Sequence, residues 1–322
     1  MNSIGGYFNL EIRKNKEFHS EALKLNTGRN AFEYILLANK YDTVYLPYYT
    51  CDVLIQPLKK HKINYTFYHI DESFEAVFEF TNLNVNDAFL YTNYFGLKDA
   101  YIYKLFLNCP NLIVDNSQSF YSLPIDGVDT FYSPRKFFGV ADGAYLFSNN
   151  KINQSTLVKD ISWARMSHLL KRSDIGPEFG YHSFKINDGL LNDLEIMEMS
   201  ELTQSILSSI DYDFISKRRK SNFYKLHENL KSSNELKFDY LVDQTPMVYP
   251  YLNSSIRITE KLLKNRVFTP TYWPNVIDWT DIGSLEYRFA QDIVFLPIDQ
   301  RYDEIEMNFI IEIIKEEIFN QK

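Results

Sequence analysis

The order of strand-like and helical runs constrains this chain more than any other feature. Residues 30–39 (NAFEYILLAN) space their apolar side chains as a helix does. TVYLPYY (43–49) then reads as a strand, DVLIQPLKKH (52–61) as a helix flawed by Pro57, and INYTFYHID (63–71) as a strand again. DAFLYTNYFG (87–96) is an apolar strand ending in glycine, and DAYIYKLFLN (99–108) is helical. NLIVDNSQS (111–119), DTFYSP (129–134) and GAYLFSN (143–149) are further strands. Strands alternating with crossover helices predict an α/β fold, a mainly parallel sheet between two helical layers.

The pattern changes after residue 150. Residues 152–231 are mostly helical, and 193–230 read as one or two long helices. MVYPYLN, VFTPTYWP and DIVFLPID are short strands or turns, and DEIEMNFIIEIIKEEIF (303–319) is an amphipathic closing helix. The expected organisation is a large α/β domain over residues 1–215 and a smaller α+β domain over 216–322.

Composition narrows the partners. With 322 residues, 45% of them hydrophobic and 24% charged, the chain can build large cores. A formal net charge of −8 argues against nucleic acid or an anionic membrane as the main partner, since both attract a basic face. The basic run KRRK (217–220) reads as a solvated helix end. Two widely spaced cysteines, Cys51 and Cys109, form neither a disulfide framework nor a zinc pattern. A reducing, cytoplasmic setting is expected, with no metal, and no apolar run approaches the length of a membrane span.

Ligands of open α/β sheets bind beyond the carboxyl ends of the strands. The polar residues there are Thr92 and Asn93, then Asp115, Ser117 and Gln118, then Ser133 with Lys136 one turn on. TGRN (27–30) opens a helix, where free N–H groups favour a phosphate. Neither GxxxxGK[ST] nor GxGxxG occurs, so this is not a nucleoside-triphosphate loop or a dinucleotide fingerprint. A helix start for phosphate, a strand-end aspartate, a serine and a lysine are the parts pyridoxal 5′-phosphate requires. Each alone has a duller reading: a cap, a turn residue, a surface lysine. Their order and spacing carry the information.

Those segments resemble the sugar aminotransferase family named after DegT, DnrJ, EryC1 and StrS. TGRNAFEYIL resembles its phosphate turn, and YLPYYTCDVLIQPLKKHKINYTFYHID its strand–helix–strand. AFLYTNYFG, LIVDNSQSF, SPRKFFGVADGAYLFSN and FLPIDQRYDEIEMNFIIEIIKEEI resemble later segments in the same order. The resemblance implies the aspartate-aminotransferase fold (fold type I), a homodimer, and pyridoxal phosphate as cofactor. Lys136 would then be the Schiff-base lysine and proton shuttle, Asp115 the partner of the pyridinium nitrogen, and Gln118 a contact on the ring's hydroxyl side. Gly28, Arg29, Asn30 and Ser133 would hold the phosphate. The implied reaction is amino transfer to a nucleotide-linked keto-sugar, with glutamate or glutamine as donor, for a surface polysaccharide. Alternatives are another small carbonyl substrate, another reaction on the same cofactor such as dehydration, or an inactive relative.

Several positions depart from the family. Cys51 stands where an aromatic stacks on the ring, leaving Tyr49 as the alternative stacking residue. Ala141-Asp142-Gly143-Ala144 replaces Gly-Glu-Gly-Gly. The serine lies three positions before the lysine rather than five, where Phe131 is found. Asn187 and Asn192 are the candidates for a residue reaching into the partner subunit's site. Arg165, His168, Tyr181, His182 and Trp273 are candidates for the substrate cleft, with ordinary packing as their bland reading.

Overall fold

The computed structural model describes residues 4–152, 157–238 and 243–320. Eight strands form one sheet: β1 (Leu23–Leu25), β2 (Thr43–Pro47), β3 (Asn64–Ile70), β4 (Ala76–Val77), β5 (Asp87–Thr92), β6 (Leu112–Asp115), β7 (Asp129–Tyr132) and β8 (Ala144–Phe147). Their order is β1-β8-β7-β6-β5-β2-β3-β4. The five strands from β7 to β3 run parallel, and antiparallel pairs close both edges. After β3 the chain crosses back to place β5 on the other side of β2. The reversal leaves a crevice beyond the carboxyl ends of β2 and β5, the usual ligand position in such sheets.

The strands bury both faces, as a parallel sheet between helical layers must. Side chains alternate with period two. Ala88, Leu90, Ile113 and Phe131 pack on one face with Phe32, Ile35 and Leu36 of α1 (Gly28–Asn39) and Leu58 of α2 (Ile55–His61). Phe89, Tyr91, Leu112, Val114 and Tyr132 pack on the other face with Ile102 and Leu105 of α3 (Asp99–Asn108). The sequence pattern predicts β2, β3 and β5 to β8 but not β1 or β4, and it places the ends one to four residues late: NLIVDNSQS is extended only as far as Asp115. The segment around Pro57 is a 3₁₀ turn at Asp52–Leu54 that runs into α2.

The second core extends beyond the sheet. Helices α4 (Ser167–Ile175), α5 (Pro177–Gly189), α6 (Glu201–Ser208) and α7 (Tyr212–Leu230) follow β8. The ribbon of β9 (Val248–Tyr251) and β10 (Val294–Pro297) is antiparallel. Around it lie α8 (Thr259–Lys264), α9 (Pro274–Trp279), α10 (Leu285–Asp292) and α11 (Glu304–Asn320). Ile215, Phe223, Leu226 and Leu230 of α7 join Met307, Ile310 and Ile314 of α11 in this core. The KRRK run does not cap a helix end. It lies inside α7, and Arg219 is buried, its guanidinium 4.6 Å from the Phe137 ring centroid and donating to the Met247 carbonyl at 2.9 Å. Only one position in four of that run faces the core, which composition cannot reveal.

Candidate active site

Helix α1 supplies the anion-binding end. Thr27 caps it: its hydroxyl accepts the Asn30 N–H at 3.0 Å and donates to Asn30 Oδ1 at 2.6 Å. The Asn30 amide nitrogen donates to Glu33 at 3.0 Å and to the Leu194 carbonyl at 2.8 Å. Asn30 therefore anchors the helix start, with its N–H already used. Among the described residues the N–H groups of Gly28 and Arg29 have no acceptor. A methyl group added at Gly28 would stand 3.7 Å from Ser133 Cβ, so the open helix end faces Ser133. The Ser133 hydroxyl makes no capping bond of its own. Two free N–H groups, a positive dipole end and a free hydroxyl together suit a phosphate. The Arg29 guanidinium turns away to the Leu191 carbonyl at 2.7 Å.

Asp115 ends β6 and is 5% exposed. Ser117 donates to its Oδ1 twice, from the backbone N–H at 2.8 Å and from the hydroxyl. Among the described residues no donor reaches Oδ2. Burial pushes the carboxyl above its usual range, and the Lys136 ammonium is the largest opposing influence. Gln118 is fully buried at the same strand end; its Oε1 accepts the Phe95 N–H at 3.2 Å, while Nε2 has no hydrogen-bond partner among the described residues. Thr92 Oγ1, at the end of β5, is also buried and has no hydrogen-bond partner among the described residues. The turn beyond β5 places Phe95 and Gly96 at positive φ, and a side chain at Gly96 would press on Ser119 Oγ at 3.1 Å.

Lys136 closes the short 3₁₀ turn Pro134–Lys136 after β7. Its ammonium is in no ion pair among the described residues. It lies 5.9 Å from the ring centroids of both Tyr272 and Trp273. Phe137 and Phe138 behind it are core residues. The sequence places a cation among aromatics for this reason: the rings on its flanks support the turn, and the amine itself reaches the cleft.

Tyr49 and Cys51 part company. The Thr50 N–H bonds the Tyr48 carbonyl at 3.0 Å, a tight three-residue turn. It sends the Tyr49 ring into the core against Trp273 at 5.2 Å and Tyr94 at 5.7 Å, with its hydroxyl buried and without a hydrogen-bond partner among the described residues. Cys51 remains partly exposed. Burial raises its thiol pKa, and the Lys136 ammonium is the largest opposing influence.

The structure thus brings Gly28, Ser133, Lys136, Asp115 and Cys51 to one end of the sheet. Other candidates lie elsewhere. Arg165 pairs with buried Asp160 at 2.5 Å, and His168 bonds the Arg165 carbonyl at 3.0 Å. Tyr181, His182 and Asn192 are exposed, and Asn187 is buried with its amide 3.4 Å from the Ala141 carbonyl. Tyr272, beside Lys136, goes unread in the sequence; its only signal is the aromatic pair in TYWP, 136 positions away.

Among the described residues no helix is long and apolar enough to cross a membrane, and no cluster of metal-ligating side chains occurs. Neither a protein-family model nor a curated protein matches the sequence. Solved structures do match in fold. S. venezuelae DesV, in complex with a ketimine intermediate, is 15% identical with a TM-score of 0.64, over 92% of this chain and 84% of that one. A DegT DnrJ EryC1 StrS aminotransferase from Brucella abortus is 13% identical with a TM-score of 0.64, over 92% and 85% of the two chains. The sugar aminotransferase CalS13 from Micromonospora echinospora is 13% identical with a TM-score of 0.59, over 92% and 87%. The chain therefore has the fold of these aminotransferases along nearly its whole length.

Proposed function

We propose that this protein is a pyridoxal-phosphate-dependent aminotransferase acting on a keto-sugar carried by a nucleotide, with glutamate as amino donor. The observation that carries the reading is a set of unused groups at one sheet end. Among the described residues the N–H groups of Gly28 and Arg29, the Ser133 hydroxyl and Asp115 Oδ2 have no hydrogen-bond partner, and the Lys136 amine has no ion-pair partner. The carboxylate sits in a mostly buried strand end, so an oxygen left open there is placed to take a ligand.

The residues fit the cofactor's three polar features. The α1 N-terminus and Ser133 would hold its phosphate. Asp115 would hold the proton on its ring nitrogen, and a cation there offsets the desolvation that raises the carboxyl. Bound pyridoxal phosphate supplies an electron sink for charge that develops on a substrate carbon. Lys136 Nζ, at the mouth of the cleft, takes the proton from the donor's α-carbon and returns one to the acceptor carbon. Tyr272 and Trp273 flank the amine and limit where it can swing.

The second, smaller unit, taken from residue 216 onward, would close the cleft with this aromatic pair. A second copy would cover the exposed apolar side chains around α4 and α5, among them Trp163, Leu170, Phe179 and Ile186, which are 73%, 61%, 64% and 51% exposed. The amino sugar formed would serve a surface polysaccharide.

The test is spectroscopic. Purified protein given pyridoxal phosphate is expected to turn yellow, to lose colour with glutamate, and to regain it with a nucleotide-linked keto-sugar. Protein that takes up no cofactor, or takes it up equally well after Lys136→Ala, overturns the reading.

A further inference from the structure

Burying the Arg219 guanidinium in α7 is costly, and the proposed chemistry gives it no role. It is 2% exposed, and among the described residues its Nε has no hydrogen-bond partner and no carboxylate pairs with it. Burial pushes its pKa down to about 10, with the Asp299 charge the largest opposing influence. An apolar side chain of similar volume would avoid that cost. What the guanidinium does hold is the turn that carries Lys136. It lies 4.6 Å from the ring centroid of Phe137, the residue that follows the lysine.

The same residue is gripped a second time. Gln300 Nε2 donates to the Phe137 carbonyl at 2.9 Å. Gln300 lies in the loop between β10 and α11, and α7 holds that loop as well. Asn222 Nδ2, one turn beyond Arg219, donates to the Ile298 carbonyl at 3.1 Å and to the Tyr302 carbonyl at 3.0 Å. On its other side Arg219 donates to the Met247 carbonyl at 2.9 Å, and the Met247 N–H bonds the Phe95 carbonyl at 2.8 Å, in the turn beyond β5. One helix thus reaches the Phe137 ring directly and the Phe137 carbonyl through Gln300. The lysine turn has little hold of its own: the Lys136 N–H bonds the Ser133 carbonyl at 3.3 Å, and the Phe137 and Phe138 N–H groups share the Pro134 carbonyl.

We propose that Arg219 and Gln300 are positioning residues for the amine: by holding the ring and the carbonyl of Phe137, they fix the direction in which Lys136 enters the cleft. This rests on the cofactor reading above and adds two residues, distant in sequence, to the machinery of the site. Neither touches the reacting atoms. With either grip released, Lys136 would still link to the cofactor, but at a poorer angle to the carbon whose proton it moves.

The test compares whole-chain Arg219→Met and Gln300→Glu with the wild type, each loaded with pyridoxal phosphate and scored per bound cofactor. Arg219→Met keeps the bulk and removes the charge; Gln300→Glu keeps the shape and removes the donor. Visible circular dichroism reads the orientation of the bound cofactor, and stopped-flow absorbance reads its loss of colour with glutamate. Both variants are expected to carry a pyridoxyl group on Lys136 after borohydride reduction and to show an altered dichroism band. Their colour loss at saturating glutamate should be at least about tenfold slower, with the half-saturating concentration unchanged. A wild-type dichroism band, or a wild-type rate per bound cofactor, in both folded variants overturns this inference and leaves the cofactor reading standing. If Arg219→Met does not fold, Gln300→Glu decides by the same readouts; if neither folds, the two residues are structural and the inference falls. If glutamate does not bleach the loaded wild type, the donor assignment falls and the dichroism alone decides. If wild-type Lys136 takes up no pyridoxyl group at all, the cofactor reading falls, and this inference with it.

Discussion

Asp115 and Asp142 are both buried aspartates in the large sheet's neighbourhood, 5% and 0% exposed, yet they are used in opposite ways. Asp142 is saturated: the Ser200 N–H donates to Oδ2 at 3.0 Å, the Ser200 hydroxyl to Oδ1 at 2.9 Å, and the Thr203 hydroxyl to Oδ1 as well. It ties the start of α6 to the strand region and has nothing left to offer. Among the described residues Asp115 receives only its neighbour Ser117, on one oxygen. The difference teaches that burial alone does not mark a functional carboxylate. An incomplete set of donors does.

The sharpest break in this comparison comes from the amine whose charge acts on Asp115. Lys136→Ala is expected to lower amino transfer at least about a thousandfold, read by turnover, with an unchanged unfolding midpoint. Asp115→Asn should lower turnover about a hundredfold through loss of the ring-nitrogen partner. Its folding stability, measured by denaturant titration, should hold or rise, because the costly buried charge is gone. Asp142→Ala should do the reverse. It is expected to cost about 3 kcal/mol of stability by leaving three donors unsatisfied, while folded molecules still take up the cofactor. If Asp115→Asn and Asp142→Ala destabilise alike, the distinction between the two carboxylates is lost. Ser133→Ala should weaken cofactor retention about tenfold in equilibrium dialysis, the loss of one hydrogen bond to a charged group.

The smallest effect is on pH. The folded-state pKa of Asp115 is raised, so between the ordinary carboxylate value and the raised one the native state binds more proton than the unfolded state. Stability of the cofactor-free protein should therefore fall as pH rises through that window. Denaturant titrations at a series of pH values are expected to show the slope in the wild type and its loss in Asp115→Asn.

Much of the fold is legible along the chain because periodicity is local. The apolar residues of NAFEYILLAN and LIVD announce α1 and β6 without reference to anything distant. So do Asp115, Ser133 and Lys136, which stand at strand ends in the order the chemistry needs. Helices α8, α9 and α10 are short, six to eight residues, and carry too few turns to declare a period. The fate of Asn30 turns on Leu194, and that of Arg219 on Met247, both far along the chain. Neither contact leaves a mark in the adjoining sequence.

The sequence by itself determined that six of the sheet's strands form, and which cation and carboxylate follow them, because each comes from near-neighbour patterning and turn chemistry. Tertiary structure alone decided which of two residues, Tyr49 or Cys51, meets the cleft. One three-residue turn and the rings of Trp273 and Tyr94 made that choice, and they come from segments that only folding brings together.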